Sequence, residues 1–294
     1  PGSQNLKLTR KYYTEDMPDG RVKHIVQNIT DPDIVPYIPD GIGNSTDRQR
    51  IPAVLIIPGG AFRRLVYNFE GEDVAKWLNS MGIAAFVLEC RLPSDEHDNA
   101  EDVPLIDAMR AMRVIRGRAQ EFGIDEAKIG VMGFSAGGFM AALLSTAYES
   151  DVYADYKYKD EYDKLSARPD FAVCSYPVIS IDDCIEAGKR YMSEEQVLER
   201  ISDGKAKILH KYNPDKLVRP DMPPVFICET DDDRTTLSEN SVGFYMAARK
   251  AGVSAELHIF RTGGHGYGCG DDFAQTGEWK VLFTKWIKSI GIIS

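Results

Sequence analysis

Residues 133–137 read Gly-Phe-Ser-Ala-Gly, a pattern that can carry nucleophilic chemistry. They follow an apolar run over 129–132 and precede a run typical of a helix over 139–144. In a strand–turn–helix context, Gly-x-Ser-x-Gly places a serine hydroxyl on a sharp turn at the top of a sheet. The turn is so tight that the positions two before and two after the serine must be small. The pattern therefore predicts that Ser135 is the nucleophile of a serine hydrolase.

A serine hydroxyl is a weak nucleophile at neutral pH and needs a neighbouring base. His265 is the candidate, because residues 263–268 read Gly-Gly-His-Gly-Tyr-Gly and such a loop can bring the imidazole over the serine. The loop follows the last predicted strand and precedes the last predicted helix. The other histidines lie in polar stretches, in a helical insertion or on a strand, and have weaker claims: His24, His97, His210 and His258.

The base needs an acid that fixes its tautomer and stabilises the imidazolium. Residues 229–233, Glu-Thr-Asp-Asp-Asp, follow a predicted strand and supply the candidates. Counting from the end of the strand favours Asp232, whereas counting back from the following helix favours Asp233. We prefer Asp232 and keep Asp233 as the alternative. With either acid, the chain order is serine, acid, histidine.

Donors for a developing oxyanion are expected after the first predicted strand, where residues 58–62 read Pro-Gly-Gly-Ala-Phe. We predict that the N–H groups of Gly60 and Ala61 face the pocket, joined by the N–H of Ala136. Loss of one such donor typically costs about 100- to 1000-fold in rate. The turn lacks the Gly-Lys-Ser/Thr ending of a phosphate loop, and no His-Glu-x-x-His zinc motif occurs. Neither a cofactor nor a metal is expected.

Composition limits the partners and the compartment. The chain has 294 residues, 43% of them hydrophobic, which is enough for a large core, and a formal net charge of -10. That charge argues against nucleic acid and anionic membrane surfaces as partners. The five cysteines form no Cys-x-x-Cys pair and are expected as buried thiols. No signal peptide is visible, which favours the cytoplasm slightly over secretion, but the chain begins Pro-Gly-Ser, so the compartment stays open.

Strands and helices alternate from residue 53 onward, which predicts an α/β fold with a mostly parallel sheet and helices on both faces. Apolar runs predict strands at 53–57, 83–88, 129–132, 171–176, 224–228 and 255–260. Apolar residues at helical spacing predict helices within 74–81, 105–119, 139–144, 242–246 and 279–290.

The sequence divides into an N-terminal segment and one domain. Residues 1–50, which contain several prolines, predict a β-rich lead-in that packs on the sheet edge. Residues 51–294 predict a single domain with insertions around 148–168 and 181–216. Structured insertions of this length often cap pockets, and solvated surface helices are an equally good interpretation.

These residues resemble the bacterial acetyl-esterase and carbohydrate (xylan) esterase-like branch of the α/β-hydrolase superfamily, which is related to hormone-sensitive lipase. The matching segments span roughly residues 50–290: 58–62, 70–72, 104–108, 129–138, 167–171, 176–179, 239–241 and 263–268. The resemblance implies an α/β-hydrolase domain with a small helical cap, and hydrolysis of short acyl esters, in several members from sugars, without a cofactor. It implies Ser135 as nucleophile, His265 as base, and an oxyanion hole of Gly60, Ala61 and Ala136.

The chain departs from that branch at three places. Residues 58–61 read Pro-Gly-Gly-Ala where His-Gly-Gly-Gly is common, Thr-Leu stands at 236–237 in place of Val-Pro, and Phe139 stands where histidine often follows Ser-Ala-Gly-Gly. These differences bear on the acid and on the shape of the pocket. Four aromatic residues could narrow that pocket or could equally belong to the core: Phe62, Phe134, Phe139 and Tyr267.

Together, the motifs predict a carboxylic ester hydrolase that removes short acyl groups, acetyl foremost, through an acyl-serine intermediate. Small-molecule esters, acylated sugars among them, are the expected substrates. One alternative is a serine peptidase of the prolyl-oligopeptidase type, which usually carries a large N-terminal propeller that 50 residues cannot form. The other is a non-catalytic hydrolase fold used for binding, which usually loses the serine or the histidine. Acyl chain length, alcohol and oligomeric state stay open.

Overall fold

A computed structural model of the chain describes residues 7–42, 50–154, 159–190, 206–270 and 275–294, together with positions 193, 195 and 196. Within these ranges, a seven-stranded sheet has the order β10-β9-β8-β7-β4-β6-β3. Its strands are β3 (Asp33–Tyr37), β4 (Ile51–Ile57), β6 (Ala84–Glu89), β7 (Ile124–Phe134), β8 (Ala172–Ser175), β9 (Val225–Thr230) and β10 (Ala255–Phe260). Neighbouring strands run parallel except β3, which is antiparallel to β6. The prediction of a mostly parallel sheet is confirmed.

Helices cover both faces of this sheet. One face carries α2 (Val103–Gly117), α3 (Ala119–Phe122), α4 (Ala136–Ala147) and α7 (Ser238–Lys250), and the other carries α1 (Asp73–Ser80) and α8 (Glu278–Ser289). On β4, Leu55 and Ile57 pack into the first layer and Val54 and Ile56 into the second. Strands buried on both faces read as continuous apolar runs, which explains their clear signal in the sequence. No helix in the described ranges is long and apolar enough to cross a bilayer.

The N-terminal residues add strands in two places. β1 (Lys11–Asp16) and β2 (Val22–Gln27) form an antiparallel hairpin, which pairs with β5 (Leu65–Val66) in a separate three-stranded sheet. β3 instead forms an outer edge of the large sheet. Pro36 lies inside β3, a position that an edge strand tolerates because one side of it has no ladder to break.

The predicted helix around residues 242–246 is present as α7, but its buried side differs from the apolar positions in the sequence. Val242 and Met246 are 39% and 58% exposed. The side that packs on the sheet carries Phe244 together with two polar residues, Asn240 and Ser241, which are fully buried. Those two side chains bond to backbone or carboxylate groups, so a pattern based on hydropathy alone selects the wrong face.

The connection over 148–168 lies at the end of the sheet where the strands begin, and Ser135 lies at the other end. Arg116, in the last turn of α2, donates to the carbonyl oxygens of Ser166 and Arg168. Arg110 pairs with Asp160 and Asp163. Because α2 ends beside the start of β7, these contacts lie where the strands begin, whereas Ser135 follows the carboxyl end of β7. A cap over the pocket was expected here, and this position does not fit it. The chain leaves the end of α4, which lies far from Ser135, and returns to the start of β8.

The connection over 181–216 begins at the same end of the sheet as Ser135, because it follows the carboxyl end of β8. It contains α5 (Ile181–Lys189) and α6 (Ala206–Lys211). Tyr212 and Lys211 contact Asp102, which precedes α2 at that edge. Most of positions 191–205 fall outside the described residues. The cap predicted for this connection stays a prediction.

A buried ion pair fixes the end of β6 to α2 beside the pocket. The Arg91 guanidinium donates to Asp107 from Nη2 at 2.6 Å, and the Arg91 backbone N–H donates to the same carboxylate at 2.9 Å. The two side chains are 0% and 3% exposed. Removal of one partner from such a pair leaves the other charge buried without compensation.

We expect Asp107→Ala to lower the free energy of unfolding by about 3–5 kcal/mol, because Arg91 would stay buried and unpaired. The control is Glu121→Ala, which breaks an exposed pair with Arg118 and should leave the free energy of unfolding nearly unchanged. Urea denaturation of the three proteins measures both values. Equal losses for the two variants would contradict the assigned role of the buried pair.

Candidate active site

Ser135 stands on a strained turn between β7 and α4. Its backbone has φ 54° and ψ -119°, a conformation that is costly for a residue with a Cβ atom and that is found mainly at functional sites. A Cβ atom at Gly133 would collide with the carbonyl of Gly137, and one at Gly137 with the carbonyl of Ile57. The spacing of the two glycines around the serine therefore follows from the close approach of backbone on both sides.

His265 connects Ser135 to Asp233. The imidazole Nε2 lies 2.8 Å from Ser135 Oγ, and Nδ1 lies 2.6 Å from Asp233 Oδ2. An ionised carboxylate can only accept hydrogen bonds, so Nδ1 carries the proton. Nε2 is then free to accept the proton of the serine hydroxyl. In this geometry the serine, the histidine and one aspartate are joined by hydrogen bonds in sequence.

The surroundings of Asp233 keep its carboxylate charged. Thr235 and Thr236 donate their N–H groups to Oδ1 at 2.6 and 2.9 Å, and the Thr236 hydroxyl donates to Oδ2 at 3.0 Å. Burial alone would raise the pKa of Asp233, but the hydrogen bond and charge of His265, with the N–H groups of the two threonines, hold it below its ordinary value. A carboxylate in this state can stabilise an imidazolium.

Asp232, the preferred acid of the sequence prediction, does not contact the imidazole. Its Oδ1 accepts the N–H of Gly264 at 2.8 Å, and its side chain is exposed. The count from the strand end failed because β9 continues through Glu229 and Thr230, two residues beyond its apolar run. The count back from the following helix, which favoured Asp233, agrees with the observed geometry.

The loop after β4 passes directly beside Ser135. Gly60, Ala61 and Phe62 have φ of 138°, 57° and 59°, so the loop turns sharply where the pocket opens. Across the described ranges, the N–H groups of Gly60, Ala61 and Ala136 donate no hydrogen bond within the chain. Such unpaired donors beside a nucleophile can serve a developing negative charge. Their role as an oxyanion hole stays a prediction.

A second carboxyl group, Glu229, lies behind Asp233 and was not selected from the sequence. It is fully buried and accepts hydrogen bonds from Thr230 N–H at 2.9 Å and from Ser241 Oγ at 3.2 Å. Burial, and the neighbouring charge of Asp233, raise its pKa well above the ordinary value. A raised pKa favours the protonated form of Glu229. The position of a glutamate at the end of a buried strand is the sequence feature that could have identified Glu229 as a buried acid.

A small, mostly apolar pocket lies between the loop after β4 and α4. It has a cavity volume of about 10 Å³, and its lining includes Phe62, Cys90, Leu92, Ala136 and Met140. Of the four aromatic residues left open by the sequence, Phe62 lines this pocket. The other three are buried in the two core layers: Phe134, Phe139 and Tyr267.

Two neighbouring aspartates provide a matched test of the geometry. We expect Asp233→Asn to lower kcat on the order of 10⁴-fold, because an amide leaves the imidazole in the wrong tautomer and without its counter-charge. Asp232→Asn should stay within a few-fold of the unmodified chain, since that side chain accepts the N–H of Gly264 and does not contact the imidazole. Steady-state kinetics on p-nitrophenyl acetate measures both. The reverse order of effects would contradict the assignment of Asp233.

The comparisons with known proteins agree with this geometry. The model of the BD-FAE family matches residues 42–247. An acetylxylan esterase of Xylanibacter ruminicola is 31% identical over 240 residues, which cover 81% of this chain and 45% of that protein. An endo-1,4-beta-xylanase B of Butyrivibrio fibrisolvens is 31% identical over 227 residues, which cover 77% of this chain and 34% of that protein. The chain thus spans less than half the length of these curated relatives.

Among solved structures, the acetyl ester-xyloside bifunctional hydrolase of Caldicellulosiruptor lactoaceticus superposes with a TM-score of 0.72 at 38% identity. The superposition covers 90% of this chain and 89% of that one. A carboxylesterase of Lactobacillus plantarum, at 21% identity and a TM-score of 0.72, shares the fold. The parallel sheet, the serine turn and the extent of the family match lead to one conclusion: the chain belongs to the BD-FAE family of the α/β-hydrolase superfamily.

Proposed function

We propose that the chain is a serine carboxylic ester hydrolase that removes short acyl groups, acetyl foremost, from acylated carbohydrates. The observation that carries this proposal is the contact of 2.8 Å between His265 Nε2 and Ser135 Oγ, with the imidazole held at its other nitrogen by Asp233. A serine in that contact can lose its proton to the imidazole as it attacks an ester carbonyl.

The steps follow from the positions of the groups. Ser135 Oγ attacks the carbonyl carbon, His265 takes the serine proton, and the charged carboxylate of Asp233 stabilises the imidazolium. The N–H groups of Gly60, Ala61 and Ala136 receive the oxyanion. His265 then gives its proton to the leaving alcohol, which leaves an acyl-serine. A water molecule, deprotonated by the same imidazole, hydrolyses that ester and restores the serine.

Two features support a short acyl group and a sugar alcohol. The pocket beside the loop after β4 is narrow, with a cavity volume of about 10 Å³, and its lining is mostly apolar, which suits a small acyl chain better than a long one. The relatives are named as an acetylxylan esterase and an acetyl ester-xyloside hydrolase. A peptidase or a non-catalytic binding protein could share the serine turn. The narrow apolar pocket and the names of the relatives favour the esterase over both.

The proposal is tested by hydrolysis of p-nitrophenyl acetate, butyrate and octanoate, followed by acetylated xylo-oligosaccharides. We expect turnover that falls as the acyl chain lengthens, and release of acetate from the sugars. Ser135→Ala should lower kcat by about 10⁶-fold, because the nucleophile is lost while the fold remains. Turnover that persists in Ser135→Ala would contradict the assigned nucleophile. An unmodified chain that neither hydrolyses these esters nor reacts with a serine-directed phosphonate would favour the binding protein.

The pocket makes a separate prediction about chain length. Met140 lines the pocket from α4, so Met140→Ala should raise the ratio of butyrate to acetate kcat/KM several-fold by lengthening the space for the acyl chain. Met112 is the matched control, because it is buried in the same core layer on α2 and does not line the pocket. Both truncations should cost about 2–5 kcal/mol of stability. An unchanged ratio in Met140→Ala, or an equal change in Met112→Ala, would contradict the assignment of this pocket to the acyl chain.

A further inference from the structure

A buried carboxyl group, Glu70, lies beneath the loop that carries the oxyanion donors. It follows the edge strand β5 and is 4% exposed. Gly59, the residue before those donors, donates its N–H to Glu70 Oε2 at 2.8 Å. A Cβ atom at Gly59 would stand 2.7 Å from Glu70 Oε2 and 2.9 Å from Ser135 Cβ. The backbone at Gly59 therefore fits between the carboxylate and the nucleophile with no spare room.

The other oxygen of Glu70 leads to the loop that carries the histidine. Tyr176, which follows β8, donates its hydroxyl to Glu70 Oε1 at 2.9 Å. The same hydroxyl accepts the N–H of Gly268 at 3.0 Å, three residues beyond His265. The Tyr176 ring also packs edge-on against the imidazole, with 5.0 Å between the ring centroids. Glu70 and Tyr176 thus join the oxyanion loop to the histidine loop.

The electrostatics of Glu70 differ from those of a stabilising ion pair. In the part of the chain that the structure describes, no lysine or arginine lies within ion-pair distance of its carboxylate. Burial raises the pKa of Glu70, while the charges of His265 and Lys23 and the hydrogen bonds from Tyr176 and Gly59 oppose that rise. A buried carboxylate with no cation in direct contact is costly, so Glu70 depends on the hydrogen bonds that it accepts from the two loops.

We propose that Glu70 is a positioning residue, which with Tyr176 fixes the oxyanion donors and His265 in register with each other around Ser135. Glu70 touches no substrate and acts through Gly59 on one side and through Tyr176 on the other. The inference rests on the proposed ester hydrolysis. A displacement of catalytic groups by about 1 Å can cost on the order of 100-fold in rate, so loss of this link should lower kcat without a matching change in KM.

The test compares Glu70→Gln with Glu72→Gln. Glu72 is the next acidic residue of the same turn, its side chain is 30% exposed, and its carboxylate pairs with Lys76 at 2.6 Å. In Glu70→Gln, we expect kcat on p-nitrophenyl acetate to fall about 10- to 100-fold, while KM changes less than about three-fold. The rate at which a phosphonate labels Ser135 should fall in parallel. In Glu72→Gln, all three values should match those of the unmodified chain. Glu70→Ala should lose more than Glu70→Gln, because the amide oxygen can still accept the N–H of Gly59.

Tyr176→Phe is the second variant, and it decides the question if Glu70→Gln does not fold. It keeps the ring against the imidazole and removes only the hydroxyl that joins Glu70 to Gly268, so we expect the same loss in kcat and in labelling. The double variant should be no slower than the slower single variant, because both changes break one link.

Two outcomes distinguish a failure of the positioning role of Glu70 from a failure of the proposed function. If the unmodified chain is active, and Glu70→Gln and Tyr176→Phe keep its kcat and labelling rate and lose only thermal stability, then Glu70 is structural and the inference is wrong. If the unmodified chain neither turns over esters nor reacts with the phosphonate, the proposed function fails, and the positioning role fails with it.

Discussion

The close approach of three backbone segments around Ser135 is the constraint on which the site depends. The carboxyl end of β4, the turn after β7 and the first turn of α4 meet where no Cβ atom fits, at Gly59, Gly133 and Gly137. This contact holds Ser135 at a positive φ of 54° and so lifts its hydroxyl out of the sheet. It also places the loop after β4 against the nucleophile, since a Cβ atom at Gly59 would stand 2.9 Å from Ser135 Cβ. β4 and β7 are neighbouring parallel strands, so both deliver their following segments to the same end of the sheet.

Three carboxyl groups near this edge show that the environment, more than the residue type, sets what an acid can do. Asp233 receives hydrogen bonds from several donors and stays charged. Glu229, close behind it, has one donor for each oxygen, and burial and the like charge of Asp233 raise its pKa well above the ordinary value. Glu70 also has one donor for each oxygen, but the charge of His265 opposes the rise in pKa that burial causes. The donors and charges around each group therefore separate an acid that serves the imidazole from one that supports its neighbour and from one that holds two loops.

The sequence was informative where a local steric rule applies. Tight glycine spacing marked Ser135 and His265, and apolar runs marked the buried strands, because both signals act over a few residues. The acid was ambiguous because the last two residues of β9, Glu229 and Thr230, are polar yet buried, so hydropathy ended the strand too early. The connection over 148–168 lies where the strands begin because it leads from a helix to a strand. Its length and composition do not indicate at which end of the sheet it lies. The bonds from Glu70 to Gly59 and Tyr176 join residues far apart in the chain, and composition and spacing carry no signal for them.

The polar side of α7 joins the acid loop to the connection over 181–216. Asn240 accepts the N–H groups of Ile179 and Ser180, at the start of the connection that is predicted to cap the pocket. One residue later, Ser241 donates to Glu229, the buried acid behind Asp233. The first turns of α7 therefore anchor both the root of that connection and the support of the acid loop. A helix with an ordinary apolar side could fill the same space but could not satisfy these backbone and carboxyl groups. The feature that misleads a hydropathy pattern is the feature that ties the predicted cap to the catalytic edge.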